Sequence, residues 1–421
     1  MKAASGHDGG TVAFAGLLRG PFNRYWLSGF LSDFGDGVRL AAFPLLAAQL
    51  TRSPAAVAAV TAVQSLPWLM GAGLGVIVDR TDRRRLMVAV DTTRAVIIAA
   101  LAGAVLMHAD GLALIYLTAF TTGVGSALRR TAAATCAPRL VAAADLDRAN
   151  GRLVAGQIVG NELAGPAAGG WLFGLAASLP FAVNAAALGI AVLLLLTLPS
   201  VFQPSHRQPP QDSAPVRASV SADLAEGLAW LRSHAEVRDV TVAVGVISAM
   251  DAAWIAVLVL YVIETLHQKP STYGGLLAVA ATGGIAAGAA GSHISRRLGA
   301  WRSLLLAGLV MAVTQLILGL TANVLIAASM LAASSGAWAL FSMTSTTMRQ
   351  RLVPERLLGR VTSLYGTAFG GAEALGALGG GAIAAVAGIR ATMLVGVIPI
   401  AATVILLAWR HRDTATSLDR S

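Results

Sequence analysis

The chain has 421 residues, 56% of them hydrophobic and only 12% charged, with 45 glycines and a formal net charge of +10. A water-soluble domain is closer to one-quarter charged, so this composition excludes most soluble enzymes. The basic excess alone would suit a nucleic-acid binder, and only the placement of the charges separates that reading from membrane topology.

Residues 1–23 are polar and glycine-rich, without the apolar core of a signal peptide. Beyond them, runs of roughly 20 apolar residues, enough to cross ~30 Å of hydrocarbon, recur twelve times. They fall near 24–50, 55–78, 86–107, 112–129, 151–175, 180–198, 239–263, 272–293, 303–321, 323–345, 361–387 and 391–409. Open sheet edges are excluded from lipid, so the expectation is an all-α membrane protein of twelve transmembrane helices. The longest polar stretch, 199–238, opens as a Pro/Gln/Ser-rich segment that resists regular structure. It continues with Asp223, Leu224, Gly227, Leu228, Trp230 and Leu231, the pattern of a short amphipathic helix on the membrane surface. That helix reads equally as a lid over helix ends or as a regulatory element. The expected organisation is a six-helix bundle over 1–198, a cytoplasmic linker over 199–238 and a second six-helix bundle over 239–421. The single cysteine, Cys136, allows no internal disulfide and no cysteine-based metal cluster.

With twelve spans, 27 of the 31 Lys and Arg residues fall on one side. Arg39, Arg52, Lys269 and Arg390 are the exceptions. This is the positive-inside pattern with both termini cytoplasmic, the expectation for a multi-pass protein of the plasma (inner) membrane. It removes the need for nucleic acid. The halves are related: Gly75-Val-Ile-Val-Asp79-Arg80-Thr-Asp82-Arg83 follows span two, and Gly291-Ser-His-Ile-Ser295-Arg296-Arg297-Leu-Gly299 follows span eight. Arg139-Leu-Val and Arg148 after span four match Arg351-Leu-Val and Arg360 after span ten. Duplicated six-helix halves around a central pathway are a transporter architecture.

Several stretches carry a family resemblance. Gly75, Asp79, Arg80, Arg83 and Arg84 resemble motif A of the major facilitator superfamily, and Gly165-Pro166-Ala-Ala-Gly169-Gly170 resembles motif C of its drug/proton antiporters. Ser32-Asp-Phe-Gly35-Asp36, Leu66-Pro67-Trp68 and Val353–Val361 are similar to the macrolide-efflux and enterobactin-exporter subgroup. Two positions depart from the pattern. Asp82 stands where motif A usually has Gly, and Gly160 precedes Gly165 by five residues where motif C has four. The resemblance implies the major facilitator fold. It also implies that Asp79 acts as a conformational latch holding the halves together in the outward-open state, with Ser295 making the latch one-sided. The arginines beside Asp79 serve either that latch or topology alone. The glycines of span five permit close helix approach and Pro166 bends the helix, either to seal one face or simply to pack.

Charge in hydrocarbon is costly and usually faces a cavity. Asp33, Asp36, Glu162, Asp251 and Glu373 all lie ~14–18 Å from the cytoplasmic end of their spans, and spans one and seven, like five and eleven, are repeat mates. They are the candidates for proton coupling and substrate attraction, because a carboxyl in such a place can take up and release a proton. For Asp36 an intrahelical pair with Arg39 is the alternative. Asp91 and Arg94 read as a structural pair near the cytoplasmic mouth, and Glu264 as solvated. Trp68, Trp254 and Trp338 sit mid-span, where they line a pocket or simply pack, while Trp26, Trp301 and Trp409 read as interface anchors. No P-loop, nucleophile motif or His spacing for a metal occurs. The expectation is therefore a monomeric transporter rather than an enzyme, with no metal or other cofactor, driven by the proton gradient. It would sit in the lipid bilayer and export a small organic substrate such as a drug, antibiotic, siderophore or metabolite in exchange for protons. Uptake, facilitated diffusion and a non-transporting sensor are the alternatives.

Overall fold

The computed structural model describes residues 20–70, 77–78, 81–133, 136, 140–141, 145–198 and 220–411. Helix α1 (Pro21–Leu50) begins on a proline whose fixed φ suits a first turn. Then come α2 (Pro54–Ser65), prolonged by a 3-10 turn at Leu66–Met70, α3 (Arg83–Leu106) and α4 (Leu112–Ala133). Helix α5 (Leu146–Gln157) runs through a π turn (Ile158–Ala164) into α6 (Gly165–Leu175), followed by α7 (Leu179–Leu196). The second half comprises α8 (Val220–Ser233), α9 (Ala235–Ile255), α10 (Pro270–Leu298), α11 (Ala300–Leu320), α12 (Val324–Leu352), α13 (Glu355–Ala387) and α14 (Ile389–Arg410).

Among the described residues, eight helices are long and apolar enough to cross a membrane. The number is nine if α9 and the segment after its 41° bend count as one span. The other three expected spans are helical but differ in kind. Helix α1 has 30 residues and carries Arg24, Asp33, Asp36 and Arg39, α2 is a 12-residue helix ending in the 3-10 turn, and α5–α6 is interrupted by the π turn. The linker helix is α8, as the amphipathic pattern suggested, and α9 starts four residues before the expected boundary at 239.

Both departures from the family motifs have a local cause. Asp82 caps α3, its Oδ1 accepting from the Arg85 N–H at 2.8 Å, and so satisfies a donor that the helix start leaves free. The five-residue spacing of Gly160 and Gly165 matches the π turn between them: the Gly165 N–H donates to the Gly160 carbonyl, five residues back. The inserted residue keeps Gly156, Gly160, Gly165 and Gly169 in one row against α1, facing Trp26, Phe34, Gly37 and Val38 in turn. A Cβ at Gly165 would lie 2.7 Å from the Gly37 Cα.

The helix pairings of the first half recur in the second. Helix α1 packs on α6 and α7, α3 on α7, and α2 on α4; correspondingly α9 packs on α13 and α14, α11 on α14, and α10 on α12. At one end lie most of the arginines. There Arg24 and Arg84 donate to the last carbonyls of α7, Arg84 Nε to Leu195 O at 2.9 Å. Asp239 of α9 meets Arg410 at 3.1 Å and His411 at 3.3 Å, and Trp301 is buried in a stack on His411 instead of anchoring at the interface. Glu226 of α8 pairs with Arg356 and Arg360 of α13, over an apolar cluster of Leu231, Val237, Leu357 and Val361.

This arginine-rich end has two separate cores, one around Tyr25, Met87 and Leu195, the other around Ile247, Trp301 and Phe341. At the opposite end one core is shared: Phe43 and Phe181 pack with Trp254, Tyr261 and Leu318. Backbone meets backbone there. A Cβ on Gly170 of α6 would lie 2.7 Å from the Gly274 Cα of α10, and one on Gly381 of α13 would lie 3.0 Å from the Ala55 Cα of α2. Among the described residues, the core that the halves share lies at that end. Gly170→Val should force this closure apart. Spin labels on Ala176 and Lys269, in a protein whose Cys136 is replaced, should show a longer distance population than in the Gly170 parent.

Candidate functional site

The ionisable residues inside the helices divide into two groups. In the first half Asp36, Arg39, Asp91, Arg94 and Arg129 are all buried, Asp91 fully and Arg94 at 2% exposure. Asp36 accepts from Arg39 at 3.0 Å and also from Arg94. Arg94 reaches Asp91 at 3.1 Å and Ser32 Oγ at 3.1 Å, and Arg129 Nε donates to Asp91 Oδ2 at 2.5 Å. Arg129 also donates to the carbonyl and hydroxyl of Ser28, and Arg39 to Thr122 Oγ1 at 2.9 Å. Gly125 makes room, since a Cβ there would strike the Arg94 side chain. The network ties α1, α3 and α4 together. Each carboxylate accepts from two arginines, the pairing that buried charge needs to persist.

This assigns Asp36 to the pairing alternative, extended by Arg94, and Asp91 and Arg94 form the expected structural pair, buried and joined to Arg129. Asp33, three residues before Asp36, is half-buried and forms no ion pair among the described residues. Glu162 lies exposed on the π turn.

The second half differs at the matching place. Asp251 sits on α9 and its Oδ1 accepts from the Trp254 indole N–H at 3.1 Å. Asp36 and Arg39 are three residues apart, and so are Asp251 and Trp254. A neutral donor thus stands where the first half has a cation. Glu373, on the adjoining α13, lies within electrostatic reach of Asp251. Backbone contact at Ala249–Gly376 and Ala253–Gly380 holds the two helices close. Among the described residues neither carboxylate has a basic partner, and both are half-buried. Trp338 stacks on Phe369 at 6.0 Å, one turn before Glu373, and on Phe341 at 6.4 Å. Trp254 is buried. The side chain of Trp68 lies outside the described residues, as do Gly75, Asp79 and Arg80; Arg83 opens α3, and Arg84 holds the end of α7. Pro166, Gly169 and Gly170 lie buried where α6 meets α1 and α10. Among the described residues no cluster of His, Cys, Asp and Glu has the makings of a metal site.

Sequence reasoning missed Arg129 and Arg349, both counted as markers of the arginine-rich side. Each lies within a helix that continues beyond it, to Ala133 and Leu352 respectively. Arg349 is buried over the Tyr365 ring, 3.9 Å from its centroid.

The sequence matches the family described as transmembrane secretion effector over residues 11–419, and the chain belongs to that family. It is therefore a membrane transporter of the major facilitator type rather than an enzyme. Three solved structures share the fold. A point mutant of the nucleoside transporter NupG has a TM-score of 0.78 at 11% identity, covering 92% of this chain and 99% of that one. A bacterial homologue of the iron transporter ferroportin in an inward-facing state has a TM-score of 0.69 at 18% identity, covering 92% and 98%. A bacterial homologue of the lysosomal transporter Spinster, inward-facing and unoccupied, has a TM-score of 0.67 at 16% identity, covering 96% and 98%. No curated protein matches the sequence significantly.

Removing one member of the buried network leaves its partners uncompensated. Arg94→Met should cost about 3–5 kcal/mol of stability, seen as a lowered unfolding temperature in detergent, with Asp251→Asn in parallel showing no such loss.

Proposed function

We propose that the protein is a proton-coupled exporter of a small organic molecule, working by alternating access with Asp251 and Glu373 as the proton carriers. The observation that carries this reading is the asymmetry between the halves. Asp36 is matched by Arg39 and Arg94, whereas among the described residues Asp251 meets the neutral Trp254 N–H and the nearby acid Glu373. A carboxyl without a fixed cation can exchange a proton or attract a cationic group.

In this reading twelve segments cross the plasma membrane, both termini and the arginine-rich end are cytoplasmic, and a monomer is the working unit. The conformation with separate cores at that end is then inward-facing. Substrate enters from the cytoplasm as Asp251 or Glu373 releases its proton there. The halves rock, substrate leaves outward, and a carboxylate takes up a proton from outside before the return. The aromatic wall of Trp338, Phe341 and Phe369 beside Glu373 suits an amphipathic or cationic substrate. The stretches Ser32–Asp36 and Val353–Val361 favour the drug, antibiotic and siderophore exporters as its class. Asp79 remains the proposed latch for the outward-open state.

Proteoliposomes with an imposed pH gradient, assayed against a compound panel, test this. Acid on the side that takes up protons should accelerate substrate movement the opposite way. Asp251→Asn and Glu373→Gln should reduce that acceleration by roughly tenfold, the size of an ordinary coupling free energy, while substrate exchange without a gradient persists. Trp254→Arg should abolish coupling in a folded protein by giving Asp251 a fixed cation. Acceleration in the same direction as the protons would make the protein an uptake symporter, and flux indifferent to the gradient a facilitator.

A further inference from the structure

The arginine-rich end of the second half contains a cavity of about 930 Å³ enclosed by the end of α10, the start of α11 and the last turns of α12. Arg296, Arg297, Arg302 and Arg351 line it with the hydroxyl side chains Ser292, Ser295, Thr344 and Thr347, and none of its lining residues is acidic. Thr344, Thr347 and Arg351 are spaced to share one face of α12, as Ser292, Ser295 and Arg296 are on α10. Helix α11 starts at this wall on Gly299 with no side-chain cap and no acid in its first turn, so its free N–H groups add positive potential. Thr344 supplies an independent sign: it is 1% exposed, and its Oγ1 has no hydrogen-bond partner. A buried hydroxyl left unpaired is uncommon and asks for a partner.

The repeat explains how the cavity became wholly basic. In the first half the corresponding turn carries Asp79 and Asp82 among its arginines; in the second, Ser295 and Leu298 occupy those places, Arg296 matches Arg80 and Arg297 stands in the place of Thr81. Both carboxylates are gone and the cations are unmatched by acid within the turn. We infer that this cavity is a binding site for a phosphate-bearing anion, distinct from the transport pathway. Its arginines would neutralise the phosphate charge, and its hydroxyls and the α11 N-terminus would donate the remaining hydrogen bonds. Basic pockets between helices at a membrane surface take lipid headgroups in this way. A soluble phosphate offers the same chemistry.

The full-length protein, purified in a neutral detergent, is titrated separately with inorganic phosphate and with a short-chain phosphatidylglycerol, and binding is read by calorimetry. A short-chain phosphatidylcholine serves as the zwitterionic control. Saturable binding of either anion is expected, weakening about fivefold for each of Arg296→Gln and Arg351→Gln and weakening further with salt. Ser295→Asp, which restores the acid of the first half, should abolish it, whereas Ser295→Ala should retain it. All three positions are at least partly exposed, so folding is checked simply by an unchanged melting profile. Binding of phosphatidylglycerol alone identifies a lipid source, and binding of phosphate alone or of both identifies the phosphate group itself. No binding of either probe, binding of phosphatidylcholine with equal strength, or binding that Ser295→Asp leaves intact would overturn the inference. None of these readings depends on transport, so the site stands or falls apart from the proposed antiport.

Discussion

The hydrocarbon interior offers an ion no solvent, so every charge placed there has to be matched by the protein or retained for use. The Asp36–Arg94–Asp91–Arg129 chain is the matched case. It joins α1, α3 and α4 through buried side chains, and in the proposed mechanism these helices would move as one block. Asp251 and Glu373 occupy the same kind of place in the second half without cations, and the proposed chemistry depends on that contrast. Three buried arginines in one half, against none beside Asp251 among the described residues of the other, are the contrast on which the proposed division of labour rests.

A rigid block is useful only if it can part from its partner. At the closed end, beside the shared apolar core, the helices meet through backbone and small residues, Gly170 on Gly274 and Gly381 on Ala55 and Ala58. Such surfaces let helices approach closely. The π turn at Ile158–Ala164 and the break after Ile255 are both places where a helix register can change at small cost. Motif departures that weaken a family match on paper therefore serve this fold: the five-residue glycine spacing keeps span five seated on α1, and Asp82 caps α3.

Apolar run lengths located the eight helices that are long and apolar enough to cross a membrane among the described residues, because hydrocarbon imposes length and composition directly on sequence. What they could not reveal is which helix has a break, since a π turn changes no hydropathy; only the extra residue between Gly160 and Gly165 betrayed it. The site was partly legible for a similar reason. Depth along a helix is simple arithmetic, and it picked out Asp36, Asp251 and Glu373 together. Whether a carboxylate is paired depends on neighbours from other helices, and Arg94 reaches Asp36 across 58 positions of chain. Arg129 and Arg349 were read as surface charge because they end apolar stretches, yet both turn inward onto Asp91 and Tyr365.

At the matching places of the two halves, Asp251 and Glu373 are proposed to be free to hold a proton whereas Asp36 is held by its arginines. A hydrophobic carbodiimide, which reacts with a carboxyl that carries a proton in an apolar setting, followed by peptide mass spectrometry, measures this residue by residue in the intact protein. The account predicts labelling at Asp251 and Glu373, with Asp36 and Asp91 unmodified behind their arginines. Labelling of Asp36 or Asp91 with Asp251 and Glu373 untouched would contradict it.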